Sequence, residues 1–477
     1  MTQPNLIRKA KPLMTGSRLA LLAIFILCIS LSAMLAAGMR RSAHGGVTMT
    51  DFGEIYYGAL CAMQRKDPYN PPTVLREFLA HGATFPKPKN PSDPKDVRVA
   101  RATVTVITVG VNLPTTLLLA IPFAMLPWSI AQILWVSLMA ALLVLASYLA
   151  WDLAASLAPG VAGWLAAVIL VSCELVLYFG NTAGLVVSLC VIAAWCFFKQ
   201  RFAWAGIVLL ALSLVIKPHD AGFLWLYFLL AGGVLRKRAL QTFAVAALLG
   251  LAAAIWIAPA SPHWVQELHN NLTVVSAKGE TSDPSPSGIT SGSTGSIIDL
   301  QATLSILWNN PRFYSLVSYL LGGSLILTWV LVTLRKRFSQ QGAWLALAAI
   351  SALLLLPVYH RPNDAKILLL ALPGCAILWA ARGRRGWLAL ALTAAAIAAT
   401  SDLPLLLLHL ISRRLSISPS TLGGKMMLIL LHPAPLLLLA MGCFYLWVYA
   451  RYNPPANNLQ LDAAEAGVRP ATAELPS

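Results

Sequence analysis

Residues 129–151 read SIAQILWVSLMAALLVLASYLAW, an unbroken stretch without a charged side chain. As a helix this stretch would be about 34 Å long, enough to cross a hydrocarbon core of roughly 30 Å. Its apolar residues are not confined to one stripe, so no face is left for water. Further apolar runs lie near 19–38, 161–179, 182–198, 202–217, 219–235, 239–258, 313–334, 342–358, 364–381, 387–409 and 426–450. Together they make about 12 spans by the length criterion, several of them only roughly 16–17 residues long.

Composition agrees. Of 477 residues, 58% are hydrophobic and 11% charged, and the mean hydropathy is +0.71. A soluble chain is nearer 45–50% apolar and about 25% charged, so too little polar matter remains to cover a water-facing globule. Disorder, collagen and secreted disulfide scaffolds are excluded as well. The expected fold class is an all-α polytopic membrane protein.

Lys and Arg number 35 against 18 acids, a formal charge of +17. The basic clusters Arg236-Lys237-Arg238, Arg335-Lys336-Arg337 and Arg382 with Arg384-Arg385 punctuate apolar runs. That is the pattern of cytoplasmic anchors at helix ends, not a nucleic-acid footprint. Six of the seven cysteines lie in apolar runs, and no CxxC or Cys/His cluster appears, so neither a disulfide framework nor a zinc site is expected.

The basic clusters also set an orientation, with both termini cytoplasmic. The run Leu19–Gly38 reads as a first helix retained in the membrane rather than as a cleaved signal peptide. Leu113 to Pro127 is short and carries Pro114, Pro122 and Pro127, so it reads as re-entrant or interfacial. The expected organisation is a cytoplasmic N-terminus and first helix (1–38) and a first extracytoplasmic loop (39–128). A helix bundle (129–258), a large extracytoplasmic loop (259–312), C-terminal helices (313–450) and a disordered cytoplasmic tail (451–477) follow. Gly180-Asn181, Lys217-Pro218-His219-Asp220 and Tyr359-His360-Arg361 then share the outer face with the two loops.

Acidic residues are scarce enough to weigh one by one. Asp51 opens Asp51-Phe52-Gly53-Glu54-Ile55-Tyr56-Tyr57, soon after the first span. It is placed to cap a helix whose Phe52, Ile55, Tyr56, Ala59 and Met63 fall on one face, as in an amphipathic helix lying on the outer surface. Lys217 ends an apolar run, where an unpaired ammonium is costly and points to anion binding, snorkelling or pairing with Asp220. Arg361 can grip a phosphate with two hydrogen bonds, and His360 stands beside it. Glu174 lies inside an apolar run. With Lys217 it supports a rival reading, a proton-coupled secondary transporter or lipid flippase. Asp299 in the large loop is a further candidate for acceptor contact. No Asp-x-Asp pair or His/carboxylate cluster at ligand spacing is visible, so no metal site is expected, although Asp51 and Glu54 lie one helical turn apart. No phosphate-binding Gly-rich loop appears, which argues against a nucleotide donor.

The segment Asp-Phe-x-x-x-Tyr-Tyr-x-Ala, followed by Asp67-Pro68-Tyr69, resembles glycosyltransferase family 87 of the C-type superfamily. Further pieces follow in order: Asn112-Leu113-Pro114, Gly180-Asn181, Ala205-Gly206 with Lys217-Pro218, and Tyr359-His360-Arg361. Asn112 and Asn181 depart from the family's tyrosine and glutamine, and the glycine before Asp67 is missing. The resemblance implies a multi-helix C-type architecture with amphipathic helices in the first outer loop. It also implies inverting transfer of a hexose, mannose foremost, from a polyprenyl-phosphate donor to a lipid or glycan acceptor. Asp51 would be the general base; Lys217, Arg361 and His360 would bind the donor phosphate; Glu54, Tyr56, Tyr57 and Asn181 would contact acceptor or sugar. The expected setting is the bacterial inner membrane with the site facing outward. The expected partners are membrane lipid, the lipid-linked sugar and its acceptor, without nucleic acid, cofactor or obligatory metal.

Overall fold

The computed structural model describes residues 49–82, 91–92, 94–286, 297–401 and 420–453. The expected first helix and the C-terminal tail lie outside them. The described chain is all-helical, without a strand. Five of its helices are long and apolar enough to cross a membrane: Trp128–Ala155, the broken Pro159–Phe179, Gly233–Ile257, Pro311–Arg335 and Ala434–Arg451.

Before the first of these come α1 (Thr50–Met63), α2 (Pro71–Ala80), α3 (Pro94–Thr108) and α4 (Pro114–Ala124). Helix α1 corrects two expectations. It starts at Thr50, one residue before Asp51, on a left-handed Met49 with φ 56°, and its first residues receive no side-chain cap. Its burial is not one-sided either. Gly53, Glu54, Tyr57, Gly58 and Cys61 are buried along with Phe52, Ile55, Tyr56 and Ala59, and only Met63 of the expected apolar face is exposed. The helix is packed on nearly all sides because Phe52 lies between Trp128 and Trp135, with ring centroids 5.5 and 4.7 Å away.

The bundle begins with α5 (Trp128–Ala155) and continues through α6 (Pro159–Val171), α7 (Glu174–Phe179), α8 (Thr182–Phe198), α9 (Ala203–Ile216), α10 (Pro218–Ala231) and α11 (Gly233–Ile257). Ser172 and Cys173 interrupt the second span, and the Ser172 hydroxyl donates to the Ile169 carbonyl, 2.8 Å away. The large loop after α11 is not structureless. It carries α12 (Trp264–Val275) and α13 (Leu300–Leu307), the latter capped by Asp299, which accepts from the Ala302 N–H at 3.0 Å. The chain then runs through α14 (Pro311–Arg335), α15 (Gln340–Leu353), a 3₁₀ helix (Asp364–Ala371), α16 (Leu372–Ala380), α17 (Arg384–Ala399), α18 (Leu422–Leu431) and α19 (Ala434–Arg451).

The apolar core is centred on α15, buried continuously from Gly342 to Leu353. It is locked to α19 by close approach: a Cβ at Gly442 would stand 2.5 Å from Leu353 Cδ2. On the other side of α15 lies the 3₁₀ helix, buried along all eight residues although it includes Asp364 and Lys366. The roof is tied down by polar contacts. Asn271 of α12 donates to the Tyr69 and Gly110 carbonyls, 3.0 Å each, and Arg101 pairs with Glu280 at 2.9 Å.

Candidate functional site

The site forms where α1, the start of α8, the α9–α10 junction and the loop before the 3₁₀ helix meet. Helix α7 ends at Gly180, whose φ is +66°, and a Cβ there would lie 2.7 Å from Phe52 Cβ. Only glycine permits both the left-handed turn and this approach to α1. The Gly180 carbonyl accepts from the Trp135 indole at 3.0 Å, which fixes the turn from the other side. Asn181 follows as the cap of α8. Its Oδ1 accepts from the Ala183 N–H at 2.8 Å, and its Nδ2 donates to Asp51 Oδ2 at 2.6 Å. Capping thereby fixes which end of the amide faces the carboxylate.

Asp51 is half-buried and takes a second hydrogen bond from the Thr50 hydroxyl at 3.2 Å. Burial raises its pKa above the ordinary carboxylate value, against the opposing pull of the Arg361 charge, the Asn181 and Thr50 hydrogen bonds, and Lys217. The result is a carboxylate of enhanced basicity that is still oriented by donors.

Glu54 lies one turn along and is spent on structure. Its Oε1 accepts from the Val111 N–H at 2.6 Å and from Asn112 Nδ2 at 2.8 Å, so the Asn112-Leu113-Pro114 segment hangs from it. Burial pushes its pKa up to about 8. Tyr56 donates to the Leu126 carbonyl at 2.7 Å, and Tyr57 packs against Phe78 and Trp128. Both rings are buried. These contacts of the three side chains position α1.

The cationic side of the site is a network. Lys217 stands between α9 and α10, with Pro218 starting the next helix. Its ammonium is 3.3 Å from Asp220 Oδ2 and bonds Asp364 Oδ1. Asp364 Oδ2 accepts from the Arg361 backbone N–H at 2.7 Å, closing the 361–364 turn. The Arg361 guanidinium lies 5.6 Å from the Tyr359 ring centroid and donates to the Thr281 carbonyl at 2.8 Å, while its buried Nε has no partner among the described residues. His360 is fully buried. Its Nδ1 is 2.9 Å from the Val358 carbonyl and its Nε2 is 3.4 Å from Asp220 Oδ1. Burial pulls the imidazole pKa down, but Asp220, Asp364 and the Val358 carbonyl more than offset it and raise it. The large loop reaches the same turn, where the Ile298 N–H donates to the His360 carbonyl at 2.9 Å. Nearby Asp299 is buried, which pushes its pKa up to about 7.

The structure therefore brings Asp51, Asn181, Lys217, His360 and Arg361 into one electrostatic unit. Glu174 is exposed, opens the short α7, and forms no ion pair among the described residues. Sequence reading missed Asp364, which organises both Lys217 and Arg361, and Lys366, a buried ammonium 2.9 Å from the Ser172 hydroxyl. The available signal was the presence of two charges inside an apolar run. It also found no metal-ligand set, because it looked for neighbours in sequence; the fold unites His219, Asp220 and His360.

A family model described as glycosyltransferase family 87 matches residues 112–358, just over half the chain. No curated protein and no solved structure matches.

Proposed function

The chain belongs to glycosyltransferase family 87, and we propose on that premise that it transfers a hexose, mannose foremost, from a polyprenyl-phosphate donor. The acceptor is a hydroxyl of a lipid or glycan on the extracytoplasmic side of a bacterial inner membrane. About 12 helices would surround the donor's isoprenoid chain, with both termini cytoplasmic, the topology that the alternating basic anchors favour.

The observation that carries this reading is the Asp51 carboxylate, held at 2.6 Å by Asn181 and facing the cationic side of the site. Transfer requires a base for the acceptor hydroxyl and positive charge for the departing phosphate. Asp51 removes the acceptor proton as the oxygen attacks the anomeric carbon. The C–O bond to phosphate breaks on the opposite face, so configuration inverts. The Arg361 guanidinium, with an unpartnered Nε, receives the negative charge that develops on the phosphate. Lys217 and His360 complete the anion side, while the roof helices α12 and α13 keep the acceptor end shielded from water. A transport reading would place coupling on Glu174 and Lys217, but Lys217 is held by two carboxylates and Glu174 stands outside that network.

The test is transfer of radiolabelled mannose from polyprenyl-phosphate mannose in membranes carrying wild type or Asp51→Asn at equal expression. Loss of about 10²–10⁴-fold in rate, the usual worth of a positioned base, is expected. Equal transfer by the two proteins overturns Asp51 as base. Absence of transfer by wild type from mannose, glucose and arabinose carriers alike overturns the donor class.

A further inference from the structure

The charge balance of the cationic side is unexpected for a phosphate site. Lys217 is flanked by two buried carboxylates, Asp220 and Asp364, and of these Asp364 also faces Arg361. Burying an anion without full compensation is costly. Asp220 is the less compensated of the two, since neither of its carboxylate oxygens has a hydrogen-bond partner among the described residues.

Two imidazoles converge on one of those oxygens. Asp220 Oδ1 is 3.4 Å from His360 Nε2 and 3.8 Å from His219 Nε2, and the two rings stand 5.3 Å apart. All three atoms lie within 4.8 Å of one another. The Val358 carbonyl, 2.9 Å from His360 Nδ1, takes the N–H of that nitrogen. In the neutral ring this leaves the Nε2 lone pair aimed at the carboxylate. Two acceptors that face each other take a cation between them, a proton or a metal ion. A proton on His360 would join that pair alone. A metal ion engages all three.

Separations discriminate among ions. Bond lengths near 2.0–2.1 Å in a tetrahedral sphere put ligand atoms about 3.4 Å apart. The His360–Asp220 separation equals this value, and His219, on an exposed side chain, stands 3.8 Å from the same oxygen. We propose that His219, Asp220 and His360 form a binding site for a tetrahedral divalent ion of the zinc type, with the fourth position open to an anionic oxygen. Asp220 would ligate through Oδ1 while Lys217 keeps Oδ2, and His360 would be oriented by Val358. The added two charges would strengthen the pull of this side of the site on phosphate. That last role rests on the transfer reading above; the site itself does not.

The experiment uses the full chain purified in detergent, stripped with chelator, reloaded with Zn²⁺ and desalted. About one equivalent retained per chain is expected, with affinity falling by more than about 100-fold in His219→Ala and in His360→Ala, beyond the 10–100-fold typical of losing an outer partner. His219 is exposed, so its variant should melt like wild type and isolates metal loss from misfolding. Cobalt substitution adds a second readout, the intense visible absorption of a tetrahedral ion, absent in His219→Ala. Retention below about 0.1 equivalent by wild type overturns the proposal, as does retention unchanged in His219→Ala. Metal content is read without any sugar donor, so a failed transfer assay leaves this result standing, and the reverse also holds.

Discussion

Helix α15 and the segment just after it are both buried, yet they are buried by opposite means. From Ala343 to Leu356 nearly every side chain is apolar and sealed among other apolar side chains, with Gly442 pressed against Leu353. A few residues on, His360, Asp364 and Lys366 are as deeply buried but charged or polar, and each is held by a specific partner. The apolar half gains stability from removing area from water, roughly 25 cal/mol per Å², and tolerates substitutions of similar volume. The polar half gains little net stability from its ion pairs but depends on every member being present. One sheds error over many contacts, and the other concentrates it in a few.

The largest effect should follow from breaking the polar half. Asp364→Ala leaves Lys217 with Asp220 alone and removes the acceptor of the Arg361 backbone N–H. A loss of about 3–5 kcal/mol is expected, read as a lower denaturation midpoint; a midpoint equal to wild type would erase the contrast between the two regions. A matched glycine pair sharpens it at about 1–3 kcal/mol each. Gly442→Ala collides with Leu353 in the bundle, so stability should fall while activity per folded molecule holds. Gly180→Ala collides with Phe52 and forces a left-handed alanine, so transfer should fall further than stability, because α1 carries Asp51.

Much of the bundle was legible because a membrane imposes a local rule, apolar residues over roughly 20 positions. Residues 129–151 announce α5 without reference to any other part of the chain. The site obeys no local rule. Asp51 meets Asn181 across 130 residues, and Lys217 meets Asp364 across 147. Recognisable pieces in order pointed to Asp51, Asn181, Lys217, His360 and Arg361, but said nothing of who bonds whom. The reading of Asp51 as a helix cap failed for that reason. A cap is a local inference, and here the carboxylate is claimed by a residue at the start of α8. Tyr56 and Tyr57 likewise came from the motif, which said nothing of their packing around Trp128.

A smaller effect separates orientation from chemistry. In Asn181→Ser the hydroxyl keeps the cap of α8 but is too short to reach Asp51. The lost hydrogen bond favoured the ionised carboxylate, so the Asp51 pKa should rise further. The acidic limb of the transfer rate should then move to higher pH by about one unit or less, with a lower rate below the new limb and a similar plateau above it. A limb that stays in place would mean that Asn181 serves the helix alone.

Glu54 gives the most specific effect, visible without substrate. Its folded pKa near 8 stands above the ordinary 4.5, so between those values the folded chain binds a proton that the unfolded chain does not. The stability from this proton is complete below about pH 4.5 and drains away as pH rises through 8. The melting temperature should therefore decline across that window. In Glu54→Gln the amide oxygen can still accept from Val111 and Asn112 without titrating, so the decline should flatten while the melting temperature near pH 5 stays close to wild type. An identical decline in the variant would move the titrating group elsewhere. Asp299 at the other end of the roof, with its pKa near 7, is then the residue to replace next, because its own proton would be lost over the same window.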